Sequence, residues 1–310
     1  MRAPRALIPL LAVCGAAAVV AVAGAGAAIE GLPDVGPAHA DGARKKVAAA
    51  TVTTMTWNVC GDAEPGCPLG SKPAELVKRI PAQIDANEVG GRRVKANAVL
   101  LQEVCAGHVT ALKHAASLRA WSWTFAPSGK SRTCANGEGR PGVAIGTKAA
   151  LTGVKIVPLP APSRQERVAV CGDVESWSTR LCSTQFSSSS WDDDPSGDWR
   201  RKQVHRLTTA LEGARRVIVG GDLADRPDGT TLDPLYRAYA ECDQGPGTAR
   251  AGAGTAQNWR GEATEKTDYL FTTKAAGISC GVPAVATHAS DHRPVTAVIR
   301  FRPPSAPSSR

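Results

Sequence analysis

Ser290-Asp291-His292-Arg293-Pro294-Val295 is the stretch that decides the fold of this 310-residue chain. A carboxylate and an imidazole stand side by side, and the run that follows, 294–301, reads as a strand. Working back toward the N-terminus, three more apolar, strand-like runs end in a carboxylate or an amide. They are Met55-Thr56-Trp57-Asn58, Leu100-Leu101-Gln102-Glu103 and Val219-Gly220-Gly221-Asp222. Side chains at strand ends can converge on the rim of a sheet, where loops leave room for a ligand. A Glu, two Asps and an Asn amide offer the oxygen donors that a hard cation such as Mg²⁺ takes. A cation held there would neutralise a phosphate and polarise its phosphorus. Each piece also has a plain structural use. Asn58 can close a strand, Glu103 can satisfy N–H groups at a helix start, Asp222 can sit in a turn, and Asp291-His292 can form a cap.

The chain between these runs alternates strands and helices. Residues 51–59 are rich in β-branched side chains and read as a strand. Residues 72–87 carry Leu76, Val77, Ile80 and Ile84 at helical spacing, with Pro81 expected to kink or split the helix. A buried strand is expected over 96–101, ending at Gln102-Glu103, and a helix over 107–118. Further strands are expected over 121–126, 143–147, 152–157, 168–174, 180–186, 216–220 and 267–272, with a helix over 200–211. Residues 187–198 read as a Ser/Asp-rich loop and 243–261 as a long Gly/Ala-rich loop. Strands outnumber helices, and helices fall between groups of strands. That favours a two-layered β core with helices outside, in one domain.

The first segment has the order of a secretory signal peptide. Arg2 and Arg5 precede an Ala/Val/Leu run to about Ala28, and Ala38-His39-Ala40 offers a small-residue cleavage pattern before Asp41. The expected product is secreted, with cleavage after Ala40 and no stable membrane span remaining. The apolar run is also long enough to act as an uncleaved anchor. Residues 41–50 read as a polar, flexible lead-in, 51–301 as the domain, and 302–310 as a disordered Pro/Ser tail. A formal charge of +9 suits nucleic acid, anionic lipid or an acidic polymer, and equally a solubilising surface.

Nine cysteines include Cys14 in the leader, which leaves an even set of eight. In an exported chain that points to disulfides, and the absence of a C-x-x-C pair argues against structural zinc. Eight cysteines allow on the order of a hundred connectivities. Neighbour pairing gives Cys60 with Cys67, Cys105 with Cys134, Cys171 with Cys182 and Cys242 with Cys280. The third pair flanks a polar turn between two strand-like runs, which suits a cross-strand bridge. Arg200, Arg201, Lys202, His205 and Arg206 read as a solvated helix face, and His108, His114, His205 and His288 as surface residues. Trp57, Trp121, Trp123 and Trp177 read as packing residues, while Trp191 and Trp199 flank the Ser/Asp loop and are candidates for substrate contact.

Read in order, Trp57-Asn58, Gln102-Glu103, Gly221-Asp222-Leu223, Thr267-Asp268-Tyr269 and Ser290-Asp291-His292-Arg293-Pro294 resemble the endonuclease/exonuclease/phosphatase family, with its DNase I-like fold. The likeness spans about 51–301. It implies a four-layered α/β/β/α sandwich and metal-dependent hydrolysis of a phosphoester. The substrate would be nucleic acid or a phospholipid headgroup, and the enzyme a monomer using Mg²⁺ (or Mn²⁺ or Ca²⁺). Carried over, Glu103 is implied as the principal metal ligand, with Asn58 close to the metal and Asp291 a second carboxylate on that side. His292 is implied as general acid or base with Asp268 orienting it, and Asp222 as the residue that positions or deprotonates the attacking water.

The likeness breaks at two phosphate-holding positions. Where the family reads Gly-Asp-x-Asn, this chain has Ala224, which offers no amide. Where many members carry Thr-His, it has Thr184-Gln185, and glutamine can donate a hydrogen bond but cannot carry a proton near neutral pH. Two readings follow: a hydrolase of weakened or specialised activity, or a non-catalytic domain of the same fold that binds phosphate ligands or nucleic acid.

Overall fold

A computed structural model describes residues 48–303 except 130, 163–164, 190–191, 193 and 245–248. The expected signal peptide, most of the lead-in, Trp191 and residues 304–310 of the tail lie outside the described residues. In chain order the elements are β1 Ala50–Asn58, α1 Pro73–Asp85, β2 Asn87–Val89, β3 Arg92–Val94, β4 Ala98–Cys105, α2 Ala106–His114, β5 Ser122–Pro127 and β6 Pro141–Thr147. Then come β7 Thr152–Leu159, β8 Arg167–Val174, β9 Thr179–Gln185, α3 Asp198–Leu211, β10 Val217–Asp222 and α4 Asp233–Ala238. The chain closes with β11 Tyr239–Glu241, β12 Ala256–Gln257, β13 Ala263–Glu265, β14 Asp268–Thr273, β15 Gly277–Gly281 and β16 Val295–Phe301.

Two six-stranded mixed sheets form the centre. One runs β15-β16-β1-β4-β6-β5 and the other β11-β14-β10-β9-β8-β7. Strand alternation explains the layering. On β4, Ala98 and Leu100 face the opposite sheet, where they meet Leu181, Ile218 and Leu270. Val99 and Leu101 face the other way, into a layer with Leu76, Ile80 and Ile84 of α1 and Val109 and Leu112 of α2. On the second sheet, Val217 and Val219 of β10 pack outward against Val204, Leu207 and Leu211 of α3 and Leu235 of α4. The result is the expected α/β/β/α sandwich, with the central strands β4 and β10 buried on both faces.

Three expectations need correction. Helix α1 is not split at Pro81, which lies inside it. An interior proline costs about 3 kcal/mol, whereas burying Leu76, Ile80 and Ile84 contributes roughly 1.5–3 kcal/mol each, so packing wins. Residues 243–261 are not all loop, because β12 lies at their end and pairs with β13. His108 is not at the surface: it is fully buried at the start of α2, where its Nδ1 accepts the Cys105 N–H at 3.2 Å. Burial lowers its pKa, so the ring is held neutral. All four neighbour disulfides are present. Cys171 and Cys182 are directly opposite each other on β8 and β9.

Candidate active site

The topology puts the motif residues on one rim. In the parallel pair β1 and β4, Asn58 lies opposite Gln102, so Asn58 and Glu103 leave the sheet together. In the parallel pair β9 and β10, Asp222 lies opposite Gln185, and across the antiparallel pair β10 and β14 it lies opposite Asp268. The 290–294 turn runs directly into β16 beside β1. Two bonds fix that turn to β1: the Trp57 Nε1–H donates to the His292 carbonyl at 2.9 Å, and the Ser290 hydroxyl donates to the Asn58 carbonyl at 2.7 Å.

Glu103 reaches the rim through a break in its strand. The β4–β6 register shifts between Leu101 and Val104, and Glu103 has φ +50°. Without that shift it would follow Leu101 toward the helices. A bulge re-aims a side chain in this way, often beside a functional site. The Asn58 amide then donates to Glu103 Oε1 at 2.9 Å and to Asp222 Oδ2 at 3.2 Å, while its own Oδ1 accepts the Cys60 N–H at 3.1 Å. Gln185 also donates to Glu103 Oε1, at 2.6 Å. Its amide is thus turned to a carboxylate, an arrangement its sequence position did not reveal. Behind the rim, Gln102 donates to the Ser183 hydroxyl at 3.0 Å and ties the two sheets together.

On the far side, His292 Nδ1 and Asp268 Oδ2 are 2.7 Å apart, and Asp268 is fully buried. Thr267 donates to the same Asp268 oxygen at 3.1 Å. Burial works against the charge of His292, but Asp268, the bond between them, Asp222 and Asp291 hold its pKa well above the ordinary imidazole value. Burial pushes the Asp222 carboxyl up to about 7; His292 pulls it down, and Asp268 and Glu103 push it up. Burial also raises Asp291, with His292 opposing and Glu103 adding. Among the described residues no Lys or Arg forms an ion pair with Glu103, Asp222 or Asp291. Carboxylate oxygens on one rim, with no Lys or Arg ion-paired to them, are donors of the kind that a divalent metal ion takes.

Ala224 completes the rim in a telling conformation. Its φ is +49°, its N–H donates to Asp222 Oδ1 at 3.0 Å, and its carbonyl accepts the Arg200 guanidinium at 2.6 Å. Arg200 is therefore no solvated residue: it is buried, with a second bond to the Asp194 carbonyl at 3.0 Å. Charge pattern hid this, because only the fold brings the loop after β10 over α3. Arg293 is likewise a buried structural residue. Its guanidinium donates to Gln257 Oε1 and to the carbonyls of Pro283, Ala284 and Gly261. Gln257 in turn donates its backbone N–H to the Asp291 carbonyl at 2.8 Å, so the β12–β13 hairpin braces the 290–294 turn. Trp199 is half-buried, with Lys202 Nζ 4.4 Å from its ring.

Comparison with known proteins agrees with this fold. The sequence profile described as the Endonuclease/Exonuclease/phosphatase family matches residues 55–292. The human Nocturnin catalytic domain, solved with a bound sulfate, superposes with a TM-score of 0.59 at 16% identity, covering 81% of this chain and 93% of that one. A family protein from Bacteroides thetaiotaomicron gives 0.62 at 12% identity over 82% and 98%. The mannosyl-6-phosphatase of the same organism gives 0.59 at 13% identity over 81% and 100%. Among curated proteins none matches the chain.

Proposed function

The chain belongs to the endonuclease/exonuclease/phosphatase family, and on that premise we propose that it is a divalent-metal-dependent phosphoester hydrolase, exported from the cell. The observation that carries the reading is the single rim on which Asn58, Glu103, Asp222, Asp268, Asp291 and His292 meet, with three carboxylates unpaired by Lys or Arg among the described residues. Glu103 and Asp291, with Asn58 beside them, would hold the cation, Mg²⁺ in the first instance. Bound there, it would neutralise the phosphate and polarise its phosphorus.

The remaining steps belong to the side chains. Asp268 holds the proton on Nδ1 of His292 and keeps the ring charged, which leaves Nε2 as the atom that stabilises the phosphate or hands a proton to the leaving oxygen. Asp222, with a pKa near neutrality, is suited to position the attacking water and accept its proton. The four disulfides are consistent with an extracellular protein. No helix among the described residues is long and apolar enough to cross a membrane.

The test is turnover of bis-p-nitrophenyl phosphate, DNA, RNA and sphingomyelin by protein lacking residues 1–40, with Mg²⁺, Mn²⁺ or Ca²⁺ and with EDTA. Hydrolysis that EDTA abolishes is expected. Folded protein that turns over none of them with any metal sinks the reading. Gln185 and Ala224 favour a second reading, a binder without turnover, since the first donates to Glu103 and the second has no amide. Calorimetry that finds phosphate binding without hydrolysis would select it.

A further inference from the structure

The bridge between Cys60 and Cys67 borders Glu103. Each sulfur stands within 4.8 Å of the other and of a Glu103 carboxylate oxygen. Donors that share a zinc ion, at about 2.3 Å for sulfur and about 2.0–2.2 Å for a carboxylate oxygen, are no more than about 4.6 Å apart. The three atoms therefore span roughly the space of one coordination sphere. While the bridge is closed the sulfurs are bonded to each other, and neither is a thiolate, the form that holds a metal. Among the described residues both side-chain hydrogen bonds to Glu103, from Asn58 and Gln185, go to Oε1, which leaves Oε2 for a cation.

The bridge is open to attack from one side. Cys67 is half-buried in a run of exposed residues, Pro65, Gly66 and Pro68, whereas Cys60 is buried. Cys105, Cys134, Cys171 and Cys182 are buried too, and of the remaining pair only Cys280 shares the exposure of Cys67. A dithiol reductant would act at Cys67. Its thiolate bonds to Cys67 Sγ, Cys60 leaves as a thiolate, and the second thiol of the reductant displaces Cys67. The bridge takes up two electrons and two protons, and the reductant departs as a cyclic disulfide. Opening the bridge does not release the segment. The Gly61 N–H donates to the Glu103 carbonyl at 2.8 Å, in a contact so close that a Cβ on Gly61 would lie 2.6 Å from that oxygen. The Cys67 N–H donates to the Glu64 carbonyl at 3.1 Å, and the Cys67 carbonyl accepts the Gly70 N–H at 3.3 Å. Asn136 holds the carbonyls of Gly61 and Gly70 at 2.8 and 2.7 Å, on either side of Cys67. The two thiols thus stay beside Glu103.

We propose that the Cys60–Cys67 bridge is a redox-gated metal site: once it is reduced, Cys60 Sγ, Cys67 Sγ and the Glu103 carboxylate together hold Zn²⁺. Each thiol gives its proton to solvent as the ion binds, and the fourth position is left to water. Two thiolates make the set soft and select zinc over Mg²⁺. Zinc captured there takes Glu103 from the hard cation and switches hydrolysis off. That consequence rests on the hydrolase reading above; the thiolate site does not.

The experiment takes the protein prepared for turnover, reduces it briefly with dithiothreitol and removes the reductant by anaerobic gel filtration. Alkylation and mass spectrometry identify the opened bridges. Co²⁺, a spectroscopic stand-in for Zn²⁺, reports thiolate ligation by its charge-transfer absorption, and Zn²⁺ affinity follows from competition with a chelator. Expected are opening of Cys60–Cys67 before Cys105–Cys134 and Cys171–Cys182, and thiolate absorption in the reduced protein but not in the oxidised one. Zn²⁺ affinity should fall about 10-fold or more in Glu103→Gln, and the absorption should vanish in Cys60→Ser/Cys67→Ser. Reduced wild type alkylated at Cys60 and Cys67 should lose it as well, which keeps the test decisive where the double variant fails to fold. Reduced protein without thiolate absorption overturns the site. So does Zn²⁺ binding that neither Glu103→Gln nor loss of the two thiols weakens, and so does a Cys60–Cys67 bridge that stays closed while the buried bridges open. Turnover of bis-p-nitrophenyl phosphate by the oxidised protein reports on the hydrolase reading alone. If that turnover is absent while the reduced protein binds Zn²⁺ through these three residues, the site stands and the hydrolase reading fails.

Discussion

Ala224 shows how one residue can be both a departure and a tolerance. Its left-handed φ of +49° disfavours alanine and suits asparagine, whose short polar side chain visits that region more readily. Ala224→Asn is therefore expected to add the missing phosphate-facing amide without loss of stability. Turnover of bis-p-nitrophenyl phosphate should rise on the order of 10-fold or more, and further with Gln185→His. Unchanged rates in both variants would show that these positions do not touch the phosphate. Asp268 is the reverse case, since in the proposed mechanism its value lies in the proton it holds on His292. Asp268→Asn is expected to lower kcat on the order of 10²-fold, measured as initial rates at saturating substrate with KM little changed. A fall confined to KM would place Asp268 in binding instead. The ordered motif residues were legible one by one from the sequence. The roles of Arg200 and Arg293 were not, because each acts through backbone carbonyls far along the chain.

At the scale of elements, two of the three proposed metal-side residues are followed two positions later by a disulfide cysteine: Asn58 by Cys60, and Glu103 by Cys105. Cys60 also donates its N–H to Asn58, and the sulfurs of Cys60 and Cys67 lie within 4.8 Å of a Glu103 carboxylate oxygen and of each other. Just beyond Cys134, Asn136 donates to the carbonyls of Gly61 and Gly70 at 2.8 and 2.7 Å and so ties the two bridged segments together. Bridges of this span contribute roughly 2–4 kcal/mol each by loop-closure arguments. Replacing Cys60 and Cys67 together by serine is expected to lower the melting temperature and to weaken Mg²⁺ binding about 10-fold by calorimetry, because Asn58 and Glu103 lose their anchor. An altered melting temperature with unchanged Mg²⁺ affinity would reduce the bridge to a staple. The strands of the two sheets were readable from β-branched, apolar runs between polar turns. The hairpin β12–β13 was not, since its strands are too short to carry an alternating pattern.

For the whole molecule, the buried pair of Glu241 and Lys266, 3.4 Å apart, couples folding to pH. Burial raises Glu241 from 4.5 to about 7, against the pull of Lys266. The folded chain thus holds this proton more tightly than the unfolded one, so the group favours folding most at low pH and loses that effect as pH rises through about 7. Urea unfolding at either end of this window should show a drop in stability for the wild type that is smaller in Glu241→Gln; equal drops would mean that Glu241 does not carry it. What the sequence determined alone was the order of strand-ending carboxylates, the family likeness, the disulfide partners as neighbours and the layered class, because local periodicity and spacing write these into contiguous residues. What only the tertiary structure decided was which side chain faces which. The bulge aims Glu103 inward, Gln185 turns to that carboxylate, and Ala224 adopts a left-handed backbone. Each depends on two sheets packed face to face, and that contact is made between residues tens to hundreds of positions apart, beyond the reach of any local pattern.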